Sequence, residues 1–473
     1  MSEDTKPTLT DARGSGGLVA QSGFDYQLWE ALAQLPGWLL QPAFEGFILE
    51  GLEDIEGRFF TPYAPESRVI DRFQAKEGSL TKTAIIEVLG NFMQYEESYP
   101  GTARVQTLVT PSLLAKLQWI AKDQTRIQKA RPFYKPFATV TDASELKFRN
   151  DLIAEFGHAL GNFVAENVDF ALRQCTDVHT ARLAFAQAME AAFPALDSTH
   201  RRLKAAFDDL VTLANEHRGS HITRAQTLHV LQAALGASIL DDDPLQVHIR
   251  SDRDPKQPQM IEIDASAFAG GEAGFPETSE WSALTTPLNQ VADWAHQGGH
   301  HRIRLSGSYR LSTAFAIGTA FRAARGFDLN FPVKGDWWRT DDYSQQEGAA
   351  LGWQTQPATG LVDERLVIAV GVLRNPVQEV VMTLGLSHQH EVLRLQLERA
   401  ITSSHELRAA VSYIKGQVVQ AVSTYRPNAL EVFMVGPAAL ALALGHRWNA
   451  LPPTQWYEFQ AQSGMYQPTC RIK

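Results

Sequence analysis

Apolar residues recur every three to four positions in GFDYQLWEALAQL, where Phe24, Leu28, Leu32 and Leu35 form one stripe. That is the period of a helix with a single buried face. The helix is predicted to end near Pro36-Gly37, and the polar residues 1–20 before it to form a flexible arm. FEGFILEG and RVIDRFQAK then read as two strands joined by a turn-rich link holding Pro62 and Pro65. TKTAIIEVLGNFMQYEES returns to helical spacing, and ARVQTLVTP reads as a buried strand. The predicted order helix, strand, strand, helix, strand makes an α/β core over about 21–140. From about 145 to 240, LIAEFGHALGNFVAEN, ARLAFAQAMEAAF and AQTLHVLQAALGA repeat the helical period with few strand signals. A helical subdomain is therefore expected to complete a first domain over 21–240.

ILDDDP and SDRDPKQPQ are polar and mark a boundary near 240–258. Beyond it, MIEIDAS, HRIRLSG and FDLNFPVKG are strand-like. Helices are predicted in SEWSALTTPLNQVADWAHQ and in YRLSTAFAIGTAFRAARG, the latter ending at Gly326. A second round follows, with strands RLVIAVGVL, EVLRLQLE and LEVFMV. Its helices start at NPVQEVV and span HELRAAVSYIKGQVVQAVS and PAALALALGHRWN. QWYEFQ and MYQPTCRIK close the chain as strands. Alternation of this kind favours parallel sheets carrying helices. Two rounds predict an internally duplicated, Rossmann-like domain over 245–473.

A length of 473 residues predicts two or three domains, and 44% hydrophobic with 20% charged residues is an ordinary globular composition. No apolar run is long enough to cross a bilayer, and MSEDTKPTLTDARGSGG lacks the pattern of a secretory signal, so a cytoplasmic protein with no membrane partner is expected. Cys175 and Cys470 lie too far apart in sequence to suggest a disulfide framework or a thiolate zinc site. The net charge of −10 is awkward for a DNA-binding protein. Locally, however, Lys116, Lys122, Arg126, Lys129, Arg131 and Lys135 are opposed only by Asp123. This stretch either tracks a phosphate backbone, with Trp119, Phe133 and Tyr134 nearby, or is a solvated helix face followed by a Pro-rich turn.

The chemistry concentrates in EGLEDIEGRFFTPYAPESRVIDRFQAKEG. A strand at RVIDRFQAK places Ile70, Arg72, Gln74 and Lys76 on one face. With the preceding segment antiparallel alongside, Asp54 meets Gln74 and Lys76 near the strand end. A carboxylate and an amide oxygen, with a backbone carbonyl between, make a hard oxygen site suited to Mg²⁺. Such an ion polarises a phosphate and acidifies a bound water, while Lys76 orients that water or stabilises developing charge. GFDYQ, EGLEDI and FQAKEG together resemble the restriction-endonuclease-like PD-(D/E)xK superfamily, in the variant where Gln replaces the second acid. The resemblance covers roughly residues 14–115 and implies a metal-dependent DNA endonuclease using Mg²⁺ or Mn²⁺. It implies Asp54 as metal carboxylate, Gln74 as second ligand position, Lys76 as catalytic lysine, Glu50 as a further carboxylate and Gln27 as an assisting group. The neutral Gln leaves one negative charge fewer for the metal. Glu53 is read as a solvated strand end.

In doubly wound sheets a ligand sits outside the carboxyl ends of the strands. RIRLSG delivers Gly307, Ser308, Tyr309 and Arg310 to such an edge, where amides and Arg310 favour phosphate. Trp337 and Trp338 offer stacking, with at least one expected in the core. The second round offers Arg374 and Asn375, then Gly436 and Pro437, the proline suited to a helix first turn. Lys415 is expected to be exposed. His296, His300, His301, His388 and His390 read as surface loops rather than metal ligands. LSGSYRLSTAFAIGTAFR, the following strand and Trp pair, and FMVGPAALALALGHRWN with its YEFQ and SGMYQP ending resemble the SAVED domain, two fused CARF-like halves. That resemblance implies recognition of a cyclic oligonucleotide, a di- or trinucleotide with the trinucleotide favoured. The whole chain is then similar to an effector of CBASS antiphage defence, cutting double-stranded DNA after ligand-driven self-association. Two rivals stay open: a sensing scaffold whose degenerate nuclease domain only binds DNA, and a modification-dependent restriction endonuclease.

Overall fold

The first helix, α1 (Ala12–Leu39), buries Phe24, Leu28, Leu32 and Leu35 at 1% exposure or less, as the stripe requires. In the computed structural model, which describes residues 12–51, 54–130, 138–173, 175, 177–196, 198–236, 244–251, 260–270, 274–341 and 351–472, the helix is longer than its stripe. It begins at Ala12 and runs on past Pro36, so residues 12–20 are helical where an arm is expected; residues 1–11 lie outside the described set. Once a buried segment has nucleated a helix, each added residue gains a hydrogen bond, which here carries the helix through GSGG against a cost of about 1 kcal/mol per glycine.

The chain divides into two compact units, Met1–Asp241 and Asp242–Lys473. In the first, three strands follow α1 rather than two: β1 (Phe44–Leu49), β2 (Ile55–Phe60) and β3 (Arg68–Ala75), each antiparallel to the next. β2 lies in the supposed link, and its IEGRFF is too short and mixed in polarity to show a period. Helix α2 (Lys82–Ser98) starts where Thr81 accepts the Ala84 amide at 3.2 Å. It leads to β4 (Ala103–Thr110), parallel to β3. Then come α3 (Gln118–Ala130), α4 (Ala138–Phe156), α5 (His158–Asn167) and β5 (Val168–Leu172), parallel to β4. Helices α6 (Val178–Ala192) and α7 (His200–Glu216), the short β6 (Ile222–Thr223) and α8 (Arg224–Leu235) finish the unit. The strand order is β5-β4-β3-β2-β1-β6. The expected helical subdomain thus supplies both edge strands of the sheet, and LIAEFGHALGNFVAEN is two helices. Five residues such as VDFAL look alike at either period; pairing with β4 decided the matter. One apolar core packs α1, α6 and α7 on one face, and a second packs α2–α5 on the other.

The second unit opens with β7 (Leu245–Arg250), a strand lying inside the expected boundary, followed by β8 (Ile261–Asp264). Next are α9 (Ser282–Gln297), β9 (Arg302–Gly307), α10 (Leu311–Ala320), β10 (Asp328–Val333) and β11 (Asp336–Arg339). Helix α10 stops at Ala320, and Gly326 instead closes a 3-10 turn. After β12 (Gln354–Gln356) come β13 (Arg365–Val372), α11 (Val377–Leu384), β14 (Val392–Leu397) and α12 (Ser404–Tyr425). β15 (Ala429–Val435), α13 (Ala438–Arg447), β16 (Thr454–Gln460) and β17 (Met465–Ile472) end the chain. The sheets run β11-β10-β9-β7-β8 and β12-β14-β13-β15-β16-β17. Apart from β12, the strand order β17-β16-β15-β13-β14 repeats that of the first half, each with four parallel strands and one antiparallel edge hairpin. The unit is a topological duplication.

Helices α10 and α13 join the halves. A Cβ on Gly318 would sit 2.1 Å from the Leu442 carbonyl oxygen, and one on Gly445 would sit 2.3 Å from that of Phe315. Only glycine permits this backbone approach. Among the described residues no helix is long and apolar enough to cross a membrane.

Candidate active site and sensor edge

Because β2 and β3 are antiparallel with Ile55 opposite Phe73, Asp54 arrives beside Gln74 at the end of β3. Gln74 Nε2 donates to Asp54 Oδ2, and the Ala75 amide donates to the same oxygen at 2.8 Å. Lys76 Nζ stands 4.0 Å from it. These three side chains converge, as alternation along the strand requires. Burial pushes the Asp54 carboxyl above the ordinary aspartate range, and Lys76 pulls in the opposite direction. Gln27, Glu50, Asp54, Arg72, Gln74 and Tyr95 line a cleft of about 650 Å³.

Glu50 shares the cleft, yet its carboxylate is held by Arg218 at 2.6 and 2.9 Å. Arg218 in turn lies 3.6 Å over the Phe24 ring. Arg72 forms a buried, cationic floor: its guanidinium lies 3.5 Å over Tyr95 and donates to Gln106 at 3.2 Å. Strand alternation puts Arg72 on the Gln74 face, but its burial against α2 is visible only in the fold. Glu53 lies outside the described residues. The Asp54 carboxylate and the Gln74 amide are hard donors, and turning that amide exchanges its N–H for its oxygen. The set fits a hard divalent cation, with Asp54 the cleft carboxylate not claimed by an arginine among the described residues. Among the described residues no three His, Cys, Asp or Glu side chains gather as a metal site.

On α3, Lys122, Arg126 and Lys129 share a face at i, i+4 and i+7. With Arg173, at the end of β5, they line an open groove of about 640 Å³. Ala75, Val109 and Ala171 form one cross-strand row, and Arg173 lies two residues beyond its β5 end, so it stands roughly 12 Å from the row's end at β3. Lys116 is exposed but outside this groove. Trp119 packs edge-on to Phe148 at 6.0 Å, in the core rather than beside a ligand. Arg131, Phe133, Tyr134 and Lys135 lie outside the described residues.

In the second unit Gly307 adopts φ +99°, and a Cβ there would strike the Ile249 carbonyl oxygen at 2.0 Å. Ser308 and Arg310 are exposed beyond it, and Arg310 Nε donates to the Ala269 carbonyl at 2.8 Å. Tyr309 is only partly exposed, and burial raises its hydroxyl pKa. The first turn of α10 is not open to phosphate as expected. The Ser312 amide and hydroxyl both donate to the buried Glu458 carboxylate of β16 at 2.6 Å. Glu458 therefore brings the C-terminal edge of the second sheet against the start of α10. No sequence signal marks it, since a strand glutamate is commonly solvated.

Arg374 is paired with Glu379 and lies 5.0 Å over Phe459, while Asn375 Oδ1 accepts the Val377 amide at 3.1 Å. Gly436 follows β15, and Pro437 is the N-cap of α13 rather than a first-turn residue. Trp338 is the core tryptophan; Trp337 is 50% exposed. Lys415 is not simply exposed. Its Nζ donates to the Arg447 carbonyl at 2.5 Å and Asn449 Oδ1 at 2.7 Å, satisfying the end of α13. Among the histidines, His300 stacks on Trp294 at 5.5 Å, and His388 stacks on His390 at 4.7 Å.

Residues 287–472 match the family model of the SMODS-associated and fused to various effectors sensor domain, SAVED. The match spans the duplicated α/β unit from within α9 to β17. Over 98% of its length the chain is 25% identical to CD-NTase-associated protein 4 of Acinetobacter sp. (strain ATCC 27244 / 9458), covering 99% of that protein. It is 24% identical to the protein of the same name from Moraxella osloensis, again over 98% of this chain and 99% of that one. A solved structure of the Acinetobacter baumannii Cap4 SAVED/CARF-domain containing receptor, with the cyclic trinucleotide 2'3'3'-cAAA, superposes with a TM-score of 0.79. The match covers 95% of this chain and 98% of that one at 24% identity.

Proposed function

We propose that the chain is a CBASS effector: a double-stranded DNA endonuclease, metal-dependent and switched on by a cyclic oligonucleotide bound to its SAVED unit. The observation that carries this reading is the convergence of Asp54, Gln74 and Lys76 at adjoining strand ends, beside a row of cations. Asp54 and Gln74 would hold Mg²⁺ or Mn²⁺, which when bound polarises a phosphodiester and acidifies a water. Lys76 places a positive charge where the pentavalent phosphorus gains negative charge. Arg72 keeps the cleft floor positive, and Lys122, Arg126, Lys129 and Arg173 hold the duplex backbone leading into it. The ligand is taken to be a cyclic di- or trinucleotide, a trinucleotide by likeness to the receptor above, read by Gly307, Ser308, Tyr309, Arg310, Arg374, Asn375, Gly436 and Pro437. Its differential affinity for an associated state drives self-association and brings nuclease domains together on DNA.

Purified protein, plasmid DNA, Mg²⁺ and a panel of cyclic nucleotides test this. Degradation should require both the metal and one cyclic nucleotide, and should vanish in Asp54→Ala and Lys76→Ala. Cleavage surviving either substitution rejects the site. The Glu50–Arg218 pair, which takes one cleft carboxylate away from a cation, favours a second reading, a scaffold that only binds DNA. Ligand-dependent DNA retention without cleavage at any Mg²⁺ or Mn²⁺ concentration would select it.

A further inference from the structure

In the second half of the SAVED unit, α11 lays Val377 and Val380 on an apolar sheet face that includes Val367, Ala369 and Phe433. The first half has no counterpart of α11 among the described residues. Its two helices lie on successive crossovers that step the same way, from β8 to β9 and from β9 to β10. Right-handed crossovers taken in one direction put both helices on one face. Val247, Leu305, Phe331 and Trp338 are buried on that side.

The opposite face carries polar residues on every strand, together with Pro332 and Trp337. Gln246, Arg304, Asn330 and Arg339 form one cross-strand row, with His248 and Ser306 in the next. Arg304 Nε, Asn330 Oδ1 and His248 Nε2 are shielded from solvent without a hydrogen-bond partner. Buried polar atoms are rarely left so unless a ligand or water answers them. Arg302, Arg304, Asn330 and Arg339 line a cavity of about 400 Å³, together with Asp328 and Asp341. Asp341 accepts from Arg408 at 3.2 Å, and Arg302 sits opposite Asp328 in register. That leaves the Arg304 and Arg339 guanidinium groups without an ion-pair partner among the described residues. Beside them, Arg304 lies 5.0 Å over the half-exposed Trp337 ring.

We propose that this polar face is a second nucleotide site, distinct from the sensor edge. The phosphates lie on Arg304 and Arg339, and the base lies against the Arg304–Trp337 pair, within reach of the Asn330 acceptor. Two uncommitted guanidinium groups select phosphate. An aromatic ring next to them and a solvent-shielded amide oxygen add contacts that a nucleobase satisfies and a bare phosphate does not. A volume of about 400 Å³ falls within the range of small-molecule pockets. The sensor edge lies at strand C-terminal ends, whereas this row crosses the middle of β9 and β10.

Thermal-shift titration of the full chain with ATP, inorganic pyrophosphate and a cyclic trinucleotide tests the proposal. ATP is expected to raise the melting temperature, pyrophosphate to raise it less, and the ATP shift to be lost in Arg304→Ala/Arg339→Ala while the cyclic trinucleotide shift persists. Arg339→Ala and Trp337→Ala alone, at exposed positions, should each weaken ATP binding about tenfold without changing the melting temperature of the ligand-free protein. No ATP shift in the wild type, a shift that survives the double substitution, or an equal shift with pyrophosphate overturns it. So does joint loss of the ATP and trinucleotide shifts in a variant that keeps its circular dichroism, since one shared site would then explain both. Failure here leaves the nuclease reading untouched, because cleavage is not the readout.

Discussion

In its proposed role as a cation ligand, Asp54 meets two opposing demands: it is shielded enough to resist ionising, yet must be ionised to bind. Its carboxyl pKa is raised by burial, while the Lys76 ammonium 4.0 Å away lowers it. A metal competes with the proton for the same oxygen. Mg²⁺ affinity should therefore fall as pH drops through a window above the ordinary aspartate range, with a proton released on binding. Lys76→Met removes the lowering influence and should move that window to higher pH, readable by calorimetric titration at two or three pH values. Gln74→Glu sets a second carboxylate against Asp54, which is unfavourable without a cation and favourable with one. The variant should become less stable without Mg²⁺ and gain more from its addition than the wild type. The candidate trio was readable in the sequence because strand alternation places Gln74 and Lys76 alike. The Glu50–Arg218 pair was not, since it joins residues 168 apart.

At the scale of elements, α3 presents its cations on one face because 3.6 residues per turn brings positions 122, 126 and 129 together. Charge reversal of Lys122, Arg126 and Lys129 should weaken duplex binding uniformly across sequences. It should also flatten the slope of log affinity against log salt by roughly 0.9 for each phosphate left without a cation. In the sensor unit, Gly318→Ala and Gly445→Ala each force a methyl group into an opposing carbonyl at the α10–α13 crossing. Each should destabilise that unit by about 1–3 kcal/mol, seen as a lower denaturant midpoint. Long amphipathic helices and apolar strands were legible from period alone. β2, β5 and β7 were not, being five or six residues each and made strands by partners distant in sequence.

For the whole molecule, burial depresses the His446 pKa to about 4 from 6.5, and its Nδ1–H is satisfied by the Phe321 carbonyl. A histidine so buried gains a proton only when the chain unfolds. Stability should thus be full above pH 6.5 and decline as pH falls toward about 4, by up to about 3 kcal/mol. His446→Gln should flatten this part of the pH profile of thermal unfolding. Cys175 and Cys470 are both buried, and burial drives the Cys175 thiol up to about 12, so mild oxidants should leave stability unchanged.

The long helices, the apolar strands, the alternation of strand and helix in the second half and the shared face of Gln74 and Lys76 follow from the chain itself, because each is a matter of local periodicity or of residues close in sequence. Tertiary structure alone decided which short segments became strands, that Glu458 closes the start of α10, that Arg218 claims Glu50, and that Arg304 and Arg339 meet on one sheet face in the first half. Those outcomes depend on pairing and burial between distant segments, whose free energy no local pattern encodes.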